Sequence, residues 1–99
     1  MEDYIEANYQ TVTLNSLARI YNYSPSYLSG LIREQYGRSF SDIITEVKMK
    51  HAIRLLQTTD DSMVRIAEAV GYSDKSYFLR RFKQVFGMTP SQYKEQGQH

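Results

Sequence analysis

Apolar residues recur along the chain at intervals of three and four, in blocks separated by glycine, proline or small polar residues, which is the signature of short amphipathic helices. Tyr4, Ile5 and Tyr9 mark a first short helix. Thr13 stands as an N-cap ahead of Leu14, Leu17, Ala18 and Ile20. Ser24-Pro25 pairs an N-cap with proline at the first helical position, where its missing N–H costs nothing, and that helix runs through Leu28, Leu31, Ile32 and Tyr36 to a stop at Gly37. Ser39, with Asp42 three residues on, reopens the chain in a capping-box arrangement, and Phe40, Ile43, Ile44, Val47, Ala52, Leu55 and Leu56 give the longest helix its buried stripe. Beyond the polar turn 58–61, Met63, Val64, Ile66, Ala67 and Val70 form a short helix ended by Gly71. A sixth helix begins at Ser73 or Asp74 and is expected to bury Phe78, Phe82, Val85 and Phe86 before Gly87. Thr89-Pro90-Ser91-Gln92 combines a capping box with a first-turn proline and opens a last short helix carrying Tyr93. Strand alternation never persists, so the expected fold is all-α with seven helices.

The chain also repeats itself. Leu17-Ala18 followed by Tyr23-Ser24 returns as Ile66-Ala67 followed by Tyr72-Ser73, an offset of 49. From Tyr27 the offset is 50: Tyr27 matches Tyr77, Leu28 matches Phe78, Ile32 matches Phe82, Arg33 matches Lys83, Tyr36 matches Phe86, Gly37 matches Gly87 and Ser39 matches Thr89. The matched glycines, N-cap serines and basic residues lie outside the core, where helical periodicity alone gives no reason for agreement. Each copy is a short helix, a tight turn around Asn22 or Gly71 and a longer helix, the layout of a helix-turn-helix unit. The expected organisation is a first unit over 1–38, a linker helix over 39–57 and a second unit over 58–99. The 18 positions of 40–57 correspond to about 27 Å of helix, near the roughly 34 Å turn of B-DNA.

Composition narrows the chemistry. The 99 residues are 41% hydrophobic, enough for one small domain. No apolar run approaches the roughly 20 residues that span a bilayer, and no basic start leads into an apolar signal segment, so a cytoplasmic protein without a membrane span is expected. There is no cysteine, and the 2 histidines, His51 and His99, are too scattered for a metal centre. With no Ser-His-Asp grouping, phosphate loop or paired-carboxylate cleft, neither an enzyme nor a cofactor is expected. The net charge of +1 is a cancellation: residues 1–47 hold 3 cations against 6 acids, and residues 48–99 hold 9 against 5. The densest basic stretch, 73–86, carries 4 cations and 1 acid.

The second helix of such a unit enters the DNA major groove with the face its core leaves over. In the second copy that stripe is Lys75, Ser76, Leu79, Arg80 and Lys83. An arginine fork reaches guanine O6 and N7, Lys75 and Ser76 reach base edges near the helix start, Leu79 packs on a thymine methyl, and Lys83 meets a phosphate. The same stripe in the first copy is Ser26, Ser29, Gly30 and Arg33, with Gly30 where the second copy has Arg80. A mid-helix glycine costs roughly 1 kcal/mol relative to alanine, so close approach to a phosphate or sugar is one reason for it. The second copy is expected to carry most sequence discrimination, and the first to contribute shape and backbone contact. Tyr23, Tyr36 and Tyr72 read as packed residues with hydroxyls at the rim, Tyr27 and Tyr77 as candidates to bond a phosphate, and Met49 and Met63 as core filler. A rival class, a helical protein-interaction module, draws support only from the acidic first half and Gly30, and the absence of salt-sensitive duplex affinity would mark it.

The run Ile66-Ala67, Val70-Gly71-Tyr72, Ser73-Asp74, Ser76-Tyr77-Phe78, Arg80, Phe82-Lys83, Phe86-Gly87 and Thr89-Pro90 with Tyr93 resembles the signature of the AraC/XylS family of bacterial transcription regulators. Ser24-Pro25-Ser26-Tyr27-Leu28, Gly37 to Phe40 and Ala52 to Leu56 extend the resemblance over nearly the whole chain. It implies seven helices, two helix-turn-helix units joined by a long helix, and binding to promoter DNA; with the connector's length, recognition helices at about 24–36 and 73–86 are expected in successive major grooves. By position, the family's base-contacting sites fall on Ser26, Ser29 and Gly30 and on Lys75, Ser76, Leu79 and Arg80; from the residues themselves, phosphate contacts are expected on Tyr27, Arg33, Tyr77 and Lys83. It further implies activation through RNA polymerase and a separate sensor or dimerisation domain outside these residues. The family commonly has arginine where Gly30 and Lys48 stand, and a lysine at position 48 supplies one ammonium contact in place of a two-pronged one.

Overall fold

A computed structural model describes residues 1–96, which form seven α-helices and, among the described residues, no strand. They are α1 (Glu2–Ala7), α2 (Leu14–Ile20), α3 (Pro25–Tyr36), α4 (Phe40–Thr58), α5 (Met63–Ala69), α6 (Lys75–Phe86) and α7 (Pro90–Gln96). Two compact units, one over Met1–Val47 and one from Lys48 onward, divide the chain inside α4. His99 lies outside the described residues.

The first unit is built on caps that its sequence announces. Thr13 and Ser16 form a reciprocal capping box at 2.9 and 3.0 Å, and the Ser24 hydroxyl accepts the Tyr27 N–H at 3.1 Å beside Pro25 at the first position of α3. Gly37 ends α3 in the left-handed region at φ 69°. Ile5, Val12, Leu17, Ala18, Leu28 and Ile32 form the core, and Phe40, Ile43, Ile44 and Val47 of α4 pack against it. Side chains such as Leu17 and Leu28, with no exposed surface, each contribute about 1.5–3 kcal/mol. Arg38 pairs with Glu46, tying the end of α3 to α4.

The second unit has a different filling. Ile66, Ala67, Val70, Phe78 and Phe82 are buried together with Met49, Ala52 and Leu56 of α4. Phe82 lies 4.5 Å from Phe86 and 6.0 Å from Phe78 between ring centres, and Tyr93 of α7 closes on Phe82 at 5.9 Å and Phe86 at 5.5 Å. Thr89 and Gln92 cap α7 reciprocally at 2.9 and 3.2 Å, and Lys94 reaches back to the Thr59 carbonyl at 3.3 Å and Asp60 at 3.7 Å.

The duplication extends to backbone detail. In the first unit the Tyr23 N–H donates to the Ala18 carbonyl at 2.8 Å and Asn22 to Arg19 at 3.2 Å; in the second, Tyr72 donates to Ala67 at 2.8 Å and Gly71 to Glu68 at 3.0 Å. This is one Schellman-type helix end used twice, and it requires a left-handed residue. Asn22, at φ 61°, and Gly71, at φ 98°, supply it. The residue inserted into the second copy is Ser73, because the N-cap of α6 is Asp74, whose carboxylate accepts the Ser76 N–H at 2.9 Å. Over 24–37 and 74–87 the order of buried, half-buried and exposed residues is the same at every position.

Two positions expected in the core or packed against it, Val85 and Tyr23, are exposed. Val85 is 44% exposed, although it lies on the angular stripe of Phe78 and Phe82, because Tyr93 covers the Phe82–Phe86 side of the last turn. Its counterpart Gln35 is exposed too, so the repeat carries a signal that periodicity does not. Ile20 and its counterpart Ala69 end their helices facing outward, Ile20 at 51%. Tyr23 is exposed, its ring resting 5.0 Å from Tyr27 and not in the core. Tyr36 and Tyr72 are half-buried, and Met49 is buried and Met63 half-buried, in line with their expected packing roles.

Candidate nucleic-acid interface

Helix α6 holds one face against the core through Phe78 and Phe82 and presents Lys75, Ser76, Tyr77, Arg80 and Lys83 to solvent. Leu79, counted with the exposed stripe, is half-buried at its edge. Lys75 occupies the first helical position, where a cation opposes the positive end of the helix dipole. The Asp74 cap offsets part of that cost, and a positive charge held there at a loss to the helix suits an anionic partner. Arg81 sits on the other flank, half-buried, its guanidinium donating to the Gln84 side chain at 2.8 Å.

The arginine at the centre of this face is not alone. The Arg80 guanidinium lies over the Tyr77 ring at 5.5 Å from its centre, Tyr77 lies 5.7 Å from Tyr72, and the Lys48 ammonium stands 4.7 Å over the opposite member, Tyr72. A row of cation, ring, ring and cation thus leads from α4 through the turn to the exposed face of α6. Burial pushes the Lys48 ammonium below the usual lysine range. This row was not legible in the sequence, because residues 48 and 72 share no helix register.

In α3 the corresponding face is Ser26, Tyr27, Gly30 and Arg33, all exposed, with Ser29 half-buried. A Cβ built on Gly30 meets nothing within 4 Å, so no packing contact requires glycine there. Tyr27 rests on Tyr23, the counterpart of Tyr72, and has no arginine above it. The two units therefore offer the same backbone frame with different chemistry, small and polar in α3 and cationic in α6. Among the described residues no cluster of three or more His, Asp or Glu is placed to hold a metal ion, and no helix is long and apolar enough to cross a membrane.

Two caps, two left-handed turns and one repeated burial pattern define a helix-turn-helix DNA-binding domain, and the helix-turn-helix domain family matches residues 17–96. The chain belongs to this family in its AraC-type form, the DNA-binding domains of transcription regulators. It is 39% identical over 83 residues to the HTH-type transcriptional regulator GadX of Escherichia coli O6:H1, covering 84% of this chain and 30% of that protein. The C-terminal domain of AraT, a response regulator from Geobacillus stearothermophilus, superposes with a TM-score of 0.91 at 38% identity, over 95% of this chain and 79% of that one. A probable AraC family transcriptional regulator from Rhodopseudomonas palustris superposes at 0.83 with 26% identity, over 96% and 91%. The curated relatives are longer: the chain spans from 11% to 36% of their length.

Proposed function

We propose that this chain binds promoter DNA sequence-specifically, with α6 reading bases and α3 contributing mainly shape and backbone contacts. Lys75, Ser76, Leu79 and Arg80 meet base edges, Lys83 and Tyr77 meet phosphates, and in α3 Ser26, Ser29 and Gly30 face the groove floor while Tyr27 and Arg33 hold the backbone. The observation that carries this reading is the pair of equivalent exposed faces, of which only α6 sets an arginine and two lysines on one side. The single continuous helix α4, 19 residues long and so about 28 Å, suits recognition helices in successive major grooves, with some bending of the duplex.

The first unit is 1–38, the linker 39–57 and the second unit 58–99 in this reading. The chain acts without catalysis, in the cytoplasm, as part of an activator that contacts RNA polymerase and carries a sensor or dimerisation domain elsewhere; the greater length of its regulator relatives supports the last point. Selection of bound sequences from random duplex DNA tests the reading. Enrichment of a defined site whose affinity falls steeply with added salt is expected, and no enrichment at any salt concentration contradicts it.

A further inference from the structure

The geometry points to Tyr77 as a positioning residue for Arg80, acting through its ring and not through its hydroxyl; this rests on the proposed reading of α6. An arginine at the middle of an exposed helix face has several free rotors, and ordering them on binding weakens the contact it makes. Here the guanidinium already lies over a ring, 5.5 Å from its centre. The ring is held in turn: Tyr77 leans on Tyr72 at 5.7 Å, and Tyr72 stands beneath Lys48 at 4.7 Å. A guanidinium stacked on an aromatic face keeps its N–H groups directed outward at the ring's edge, where a guanine O6 and N7 pair is bridged. The first unit is an internal control. Tyr27 makes the same ring pair with Tyr23 but has Gly30 at the arginine position, so the pair of rings belongs to the frame and the stacked cation belongs to the second unit alone.

The test compares the 99-residue chain with Y77F, Y77L, R80A and the double variant Y77L/R80A on a panel of duplexes covering every base at each position of the selected site. Tyr77 is 43% exposed, so both replacements are compatible with folding, and Y77F keeps the ring. Y77L is expected to lower discrimination about two- to fivefold, at the base pair that R80A also relaxes, and to add nothing in the R80A background. Y77F keeps the ring but gives up the proposed hydroxyl contact to a phosphate, so it is expected to weaken all duplexes alike and to leave the ranking of bases as in the wild type. If Y77F loses as much base discrimination as Y77L, the hydroxyl carries the positioning role and the proposal is overturned. If Y77L keeps full discrimination while R80A loses it, positioning fails and the reading of α6 stands. If R80A changes no base preference, the reading of α6 itself fails.

Discussion

Asn22 and Gly71 occupy the same place in two turns that share their hydrogen bonds, at φ 61° and φ 98°. The backbone here selects against a Cβ, and asparagine is the side chain that tolerates the left-handed region best. Replacement of Asn22 by Gly should leave stability within a few tenths of a kcal/mol, whereas Asn22→Val should cost about 1–2 kcal/mol. Chemical denaturation of both variants checks this, and an innocuous valine would mean that the turn is not held in this conformation.

Gly30 has the opposite character, since nothing in the fold needs it. Gly30→Ala should raise stability by about 0.5–1 kcal/mol through helix propensity and a narrower unfolded ensemble. Duplex affinity should fall in the same variant, because the proposed groove contact leaves little room for a methyl group. A variant that gains in both measurements removes DNA approach as the reason for the glycine.

The aromatic filling of the second unit makes its core sensitive to truncation. Phe82 is fully buried and touches the rings of Phe78, Phe86 and Tyr93. Phe82→Ala should cost about 3–5 kcal/mol, a large part of the stability of a small domain. Thermal unfolding followed by circular dichroism reads the loss, and a cost under about 1 kcal/mol would contradict the packing described.

Lys48 ties stability to pH in a direction set by burial. Its pKa is lowered in the folded protein, so between that value and 10.5 the unfolded chain holds more protons and stability rises with pH. Lys48→Met removes this contribution. At neutral pH the variant should be more stable than the parent, and the gap should close as pH rises towards 10.5. Tyr36 contributes with the opposite sign: burial first, and then its hydrogen bond to Glu2, raise its pKa, so its share of stability is lost as pH climbs above 10.0. Comparing parent and variant at each pH cancels that contribution, and a pH-independent gap would contradict the burial of Lys48.

What the sequence discloses here is mostly local. Thr13, Ser24 and Thr89 cap the helices they were expected to cap, and Gly37 and Gly87 end theirs in the left-handed region, because these roles depend on neighbours within a turn. The exposed faces of α3 and α6 follow from the same periodicity. Val85 escapes it, since a stripe gives the direction of the core but not how far a neighbouring helix such as α7 reaches along it. The stacking of Arg80 on Tyr77 was within reach of a three-residue helical spacing, whereas Lys48 over Tyr72 depends on the path of the chain between α4 and the turn. Asp74 in place of Ser73 as the cap depends on where one inserted residue is absorbed.

The central claim is that α6 reads bases with Arg80 and anchors to the backbone with Lys83. The most direct measurement is the affinity of R80A and K83A for the selected site and for each of its single-base variants, at two salt concentrations. R80A should lose about 1–3 kcal/mol on the selected site and relax preference at one base pair. K83A should weaken all duplexes alike and flatten the salt dependence by about one phosphate contact. Unchanged base preference in R80A, with uniform weakening in both variants, would contradict the account.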